Sequence, residues 1–177
     1  MSDIAKMINS CKIDGDNIGT DLYGNKFIKD LRSAGDVAQE SGARFESITF
    51  DILNFCNKNG RYHITKKPYY KNHWGLDNRE GDFLISSAKR EIHVECKQLG
   101  NAESHYDKLS HCILNLIMGC YGKEYWLIYD YNREMKNKTK IQKLIDRCQA
   151  VKEQVSTQGI IFECVHIDDL PKHLDQV

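Results

Sequence analysis

No stretch of this chain stays apolar for the ~18–20 residues that a bilayer-spanning helix requires, so no transmembrane segment and no membrane partner are expected. No CxxC pair occurs among its seven cysteines, Cys11, Cys56, Cys96, Cys112, Cys120, Cys148 and Cys164, and their number is odd. That scatter argues against a disulfide framework and a zinc ribbon, and leaves buried free thiols that pack like small hydrophobes. Net charge is lacking too: 25 lysines and arginines balance 25 acids, so composition announces no polyanionic partner. There is no internal repeat, no low-complexity tract and no proline- or serine-rich linker. The segment Met1–Asn9 carries Asp3 and Lys6 where a signal peptide would be apolar, so an intracellular, cytoplasmic protein is expected.

What is present is ordinary for a globular domain. The 177 residues are 41% hydrophobic and 28% charged, enough to bury a core without disulfides or a structural metal. We expect one domain over residues 31–177. Residues 1–30, interrupted by Gly15, Gly19 and Gly24, form an extension with no assigned role.

From Ala34 to Asn57, Phe45, Ile48, Thr49, Ile52, Leu53 and Cys56 recur at steps of three and four, which predicts a helix with one buried face, stopped near Gly60. Arg61–Thr65 reads as a short strand, followed by an aromatic and basic connection through Tyr69, Tyr70 and Trp74. Gly81–Ser86 and Glu91–Gln98 read as two strands joined by the loop Ser87–Arg90. A largely apolar helix is predicted over 104–118, a central strand over Tyr125–Tyr131, an amphipathic helix over Lys138–Val155 and a strand over Gly159–Ile167. A hairpin joined to crossover helices implies an α/β fold: a three-layer sandwich with a central mixed β-sheet flanked by helices.

The informative pattern is Asp82, twelve further residues, then Glu95-Cys96-Lys97. Side chains alternate along a strand, so Glu95 and Lys97 share a face with His93, while Ile92, Val94 and Cys96 turn to the core. With Ser86 opposite Glu91, Asp82 falls opposite Glu95, about 5 Å away between Cβ atoms. Opposed like charges cost a sheet roughly 0.2–1 kcal/mol, a cost that cation binding would recover. Mg²⁺ suits such hard oxygen donors, with the Cys96 backbone carbonyl as a further ligand and Mn²⁺ as a substitute. Lys97 is placed to hold water or to meet charge developing on a phosphate.

The stretch GDFLISSAKREIHVECKQLGNAESHYDKLSHCILNL resembles the core of the PD-(D/E)XK (restriction-endonuclease-like) nuclease superfamily. The resemblance covers roughly residues 40–131 and implies that Asp82 is the first acid, Glu95 the second and Lys97 the lysine. Gly81 stands where the family has proline. Gln98, the Gly100–Asn101 turn and Lys108 resemble the amide, turn and helix lysine of some restriction-enzyme-like members. Glu46, within SGARFES, matches the supporting acid of the preceding helix.

Substrate contacts are expected elsewhere. No acid occurs from Ile52 to Leu76, while Lys58, Arg61, Lys66, Lys67 and Lys71 interleave there with Tyr62, Tyr69, Tyr70 and Trp74. Such residues neutralise phosphates and stack on bases, or simply form a tethered surface loop. Lys136, Lys140, Lys143 and Arg147 make a helical stripe that a solvated face explains equally well. His105, His111, Cys112 and Cys120 match no common zinc spacing, and alternation parts Cys96 from His93, which argues against a thiol nucleophile. The expectation is a Mg²⁺-dependent endonuclease acting on double-stranded DNA as a homodimer, similar to a type II restriction enzyme. A homing or repair nuclease, an RNA-cutting toxin, and a non-catalytic nucleic-acid-binding module are the alternatives.

Overall fold

Along the strand Glu124–Tyr131, Trp126 and Ile128 enter one hydrophobic cluster while Tyr125, Leu127 and Tyr129 enter another, and all five are buried. A strand buried on both faces belongs inside a sheet that helices cover on both sides. The computed structural model describes residues 34–71, 78–99, 113–131 and 138–177. In chain order it contains α1 (Ala34–Cys56), β1 (His63–Lys66), β2 (Tyr69–Lys71), β3 (Asn78–Glu80), β4 (Phe83–Ser86) and β5 (Glu91–Leu99). A helical segment α2 (residues 113–117), β6 (Glu124–Tyr131), α3 (Lys138–Ser156), β7 (Ile161–His166), a 3-10 turn (Ile167–Asp169) and α4 (Leu170–Leu174) follow.

The main sheet has five strands in the order β1-β4-β5-β6-β7. β1/β4 and β4/β5 are antiparallel, whereas β5/β6 and β6/β7 are parallel. A parallel neighbour needs a crossover, and α3 supplies the one between β6 and β7. β5 is therefore the strand at which an antiparallel hairpin meets a parallel half-sheet. On one face, Phe45, Ile48, Ile52 and Leu53 of α1 pack with Ile85, Ile92, Val94, Trp126, Val165, Leu170 and Leu174. On the other, Leu116 and Tyr121 join Tyr125, Leu127, Tyr129, Phe162 and Cys148 and Val155 of α3.

The α1 face that sequence periodicity predicts is the buried one. Thr49 is tolerated within it because its hydroxyl donates to the Phe45 carbonyl at 2.9 Å. The hairpin loop closes as expected, with the Ser87 N–H donating to the Arg90 carbonyl at 2.8 Å. Arg90 then ties this loop to the molecule: its Nε donates to Glu124 at 3.0 Å and its Nη1 to the Gln176 carbonyl at 3.0 Å. Glu124, buried, also accepts from the Trp126 indole at 3.0 Å. The hairpin carrying the candidate acids is thus anchored at its turn.

Two parts differ from expectation. The segment after residue 65 is not a plain connection: β2 pairs with β3, Tyr69 lying opposite Glu80 and Tyr70 opposite Arg79. This ladder continues the register of β1/β4, in which Lys66 lies opposite Phe83. Three-residue strands of mixed polarity carry too little alternation to be seen in sequence, and only pairing defines them. After β7 the chain also makes the turn and α4, which is only five residues long and too short for a helical period. Residues 1–30, and the first part of the helix expected over 104–118, lie outside the described residues.

Candidate active site

Asp82 sits where two ladders part. The β4/β5 register runs Ser86–Glu91, Ile85–Ile92, Leu84–His93, Phe83–Val94, as the loop length predicts, so the next opposed positions are Asp82 and Glu95. Backbone pairing stops at Phe83. There the Asp82 carboxylate takes over, its Oδ2 accepting the Cys96 N–H at 2.7 Å. That bond fixes the orientation of the carboxyl of a residue that is 8% exposed. Glu95 and Lys97, partly buried, alternate with buried Val94 and Cys96, and the Lys97 ammonium donates to Glu95 Oε1.

Glu46 reaches the same place from α1. The link is Lys67, whose Nζ donates to Glu46 Oε2 at 2.8 Å and to Asp82 Oδ1 at 3.4 Å. A third carboxylate, Glu80, lies 3.6 Å from the same ammonium. Partial burial disfavours that charge, yet the hydrogen bond it donates to Glu46 and the charges of Asp82 and Glu46 hold the ammonium well above the ordinary lysine range. The structure therefore joins Asp82 and Glu46 through Lys67, brings Glu80 to the same ammonium, and pairs Glu95 with Lys97 on β5; Glu80 was not expected from the sequence. Extending the β1/β4 register by one step would have placed Lys67 opposite Asp82. Nothing in the sequence foretold its backbone turn.

Behind the acids, burial pushes the Cys96 thiol far up, and the Asp82 charge, with smaller contributions from Glu95 and Glu46, adds to this. Cys96 is thus a neutral wall of the site. Tyr70 packs beside Asp82, edge-on to His93 with ring centroids 4.8 Å apart and to Tyr121 at 5.1 Å. Burial chiefly, then the neighbouring Tyr121, Glu95 and Asp82, raises its phenol far above the ordinary range. It is a packing group, unable to ionise near neutral pH, and its buried hydroxyl has no hydrogen-bond partner among the described residues.

His93 shares the Glu95 face, as alternation predicts, and burial lowers its pKa to about 4. Between pH about 6.5 and 4 an unfolded chain takes up a proton that the folded one refuses, so folding stability is lost as pH falls through that window. The loss is on the order of 2–3 kcal/mol at about 1.4 kcal/mol per pH unit. His93→Phe, an aromatic of similar size that cannot protonate, is expected to flatten this part of the stability–pH curve. Urea titrations between pH 4 and 7 check it, and equal slopes for both proteins would contradict the assignment.

The other expected contacts are dispersed. Lys66 places its ammonium 3.3 Å from the centroid of the Phe50 ring, while Tyr69 is 70% exposed on β2. Lys71 is in β2 by its backbone. Gln98 follows Lys97 in β5, hence on the opposite face, in register with Asp130. Trp74, Lys108, His105, His111 and Cys112 lie outside the described residues.

Among the described residues no three of His, Cys, Asp or Glu converge tightly enough to form a metal cage. Mg²⁺ does not require one, since it takes one or two carboxylates and completes its shell with water and phosphate. The donor chemistry of Asp82 and Glu95 fits that ion, and the Lys67 ammonium drawn between Asp82 and Glu46 marks the place as one that attracts a cation.

Fold and cluster together define an α/β protein with a five-stranded mixed sheet and an acid–lysine cluster at its central β5. No family model matches the chain, and no curated protein matches it. Among solved structures it is similar to protein VC1899 from Vibrio cholerae, at 14% identity and a TM-score of 0.50, over 81% of this chain and 36% of that one. A protein of unknown function, AF1548, aligns at 10% identity and a TM-score of 0.35 over 66% of this chain and 57% of that one. The chain spans less than two thirds of either. The first likeness speaks to the α/β fold alone, and the second is too slight to build on. Among the described residues no helix is long and apolar enough to cross a membrane.

Proposed function

We propose that the chain is a metal-dependent endonuclease of the PD-(D/E)XK, restriction-endonuclease-like type that hydrolyses phosphodiester bonds of double-stranded DNA. The observation that supports this reading is the β4/β5 register, whose next step beyond Phe83–Val94 pairs Asp82 with Glu95, two residues before Lys97 on the same strand. Asp82, Glu95 and the Cys96 carbonyl would hold Mg²⁺, or Mn²⁺ in its place. When bound, such an ion supplies Lewis-acid polarisation of the phosphate and makes water a better nucleophile.

The chain's own residues do the rest. The Cys96 N–H holds the Asp82 carboxylate in one orientation. Lys97, ion-paired with Glu95, can release its ammonium toward the attacking water or the charge growing on the phosphate. Exposed Tyr69, on the hairpin that leads from Lys66 toward Asp82, would be the aromatic that meets nucleic-acid bases. Cutting both strands of a duplex needs two such sites, so the working form is expected to be a homodimer, most like a small type II restriction enzyme.

Purified protein with Mg²⁺ is expected to convert supercoiled plasmid to nicked and linear forms, and EDTA to stop it. Sequenced ends from a DNA library at defined sites indicate a restriction or homing enzyme, scattered ends a repair role, and cleavage confined to RNA a toxin. Absence of cleavage of DNA and RNA with either metal would leave a binding module instead.

A further inference from the structure

Building on the metal site proposed above, we infer that the Lys67 side chain is a built-in competitor for the divalent cation: it holds the Asp82 oxygen that a metal would take and must swing out before metal enters. The backbone puts it there. Lys67 has φ 51, a left-handed conformation uncommon for lysine, between the β1/β4 and β2/β3 ladders. Two hydrogen bonds hold the bend, from the Lys67 N–H to the Asp82 carbonyl at 3.0 Å and from the Gly81 N–H to the Pro68 carbonyl at 2.9 Å. The bend is thus locked to the very residue whose carboxylate the side chain neutralises.

The ammonium faces Glu46 at 2.8 Å, Asp82 at 3.4 Å and Glu80 at 3.6 Å. Both Asp82 oxygens consequently have partners before a metal arrives, Oδ1 from Lys67 and Oδ2 from the Cys96 N–H. With Oδ2 held by the Cys96 N–H, Oδ1 is the Asp82 oxygen left for a metal, and repulsion between a divalent cation and the ammonium already bonded there favours the ammonium's departure. Lys67 is able to leave: its side chain is 46% exposed and can turn to solvent. Turned out, it becomes a cation beside the substrate's approach, free to take a phosphate. Metal entry and phosphate capture then favour each other, because each draws on the same displaced lysine.

Calorimetric titration with Mn²⁺ in the absence of nucleic acid tests this without reference to activity. Lys67→Gly removes the side chain and suits the left-handed backbone; Lys67→Asn, which also tolerates it, serves if the glycine variant is poorly folded. Either is expected to bind Mn²⁺ at least about tenfold more tightly than the native chain, within the usual range of couplings between sites. Lys67→Arg, which keeps the charge, should bind as weakly as the native chain. Equal or weaker binding by the glycine and asparagine variants overturns the inference, and if Asp82→Asn abolishes binding in that case the metal site itself survives. No Mn²⁺ binding by the native chain or by the Lys67 variants overturns both.

Discussion

Replacing Glu95 with alanine is expected to lower the DNA cleavage rate by at least about 10³-fold, and Lys97→Ala to do nearly as much, with the fold retained. A thousandfold loss corresponds to about 4 kcal/mol of transition-state stabilisation, the scale on which removal of one preorganised charged or polar group acts. Glu95 stands at the position that the β4/β5 register, extended by one step, sets opposite Asp82, and Lys97 is its ion-pair partner. Neither substitution touches Val94 or Cys96, which carry the packing of this strand. Breaking one partly exposed ion pair costs little stability. Initial rates on supercoiled plasmid, with circular dichroism to confirm the fold, check the expectation. Cleavage at the native rate in both variants would remove the assignment.

Restoring the proline of the resembled family at position 81 is expected to damage this protein. Gly81→Pro should destabilise it by about 2–4 kcal/mol. The proline has no N–H, so the bond to the Pro68 carbonyl is lost, at about 1 kcal/mol or more with a carbonyl left unpaired. A Cβ at this position would also stand 2.6 Å from Tyr70 Cε2. Tyr70 is wedged against His93 and Tyr121, so its ring has little room to retreat, and forced overpacking costs typically about 1–3 kcal/mol. Gly81→Ala keeps the N–H and isolates the steric part, with an expected loss between the native protein and the proline variant. Urea denaturation midpoints decide it. An unchanged midpoint for Gly81→Pro would mean that Tyr70 does not pack on Gly81 as described.

Glycine at position 81 therefore has a local cause, the packing of Tyr70, and that packing marks the limit of what sequence reveals. The β4/β5 register was legible because a four-residue loop and the apolar phase of Ile92, Val94 and Cys96 leave only one alignment. The α1 face was legible because its helical period is long. Glu46 entered through resemblance alone, and the contact that brings it to Asp82 runs through Lys67, a residue whose basic character suggested phosphate. Its left-handed backbone and the short β2/β3 ladder depend on pairing between segments that carry no period of their own. The Tyr70–His93–Tyr121 cluster was hidden for the same reason: its members come from a short strand, a sheet face and a turn.

The central claim is that Asp82 and Glu95 share one divalent ion beside Lys97. Anomalous diffraction from crystals soaked in Mn²⁺ addresses it directly. A single strong peak within about 2–2.3 Å of carboxylate oxygens from both residues, in the range of Mg²⁺-type coordination, is the predicted result. A map with no peak there, or with metal bound by neither acid, would contradict it.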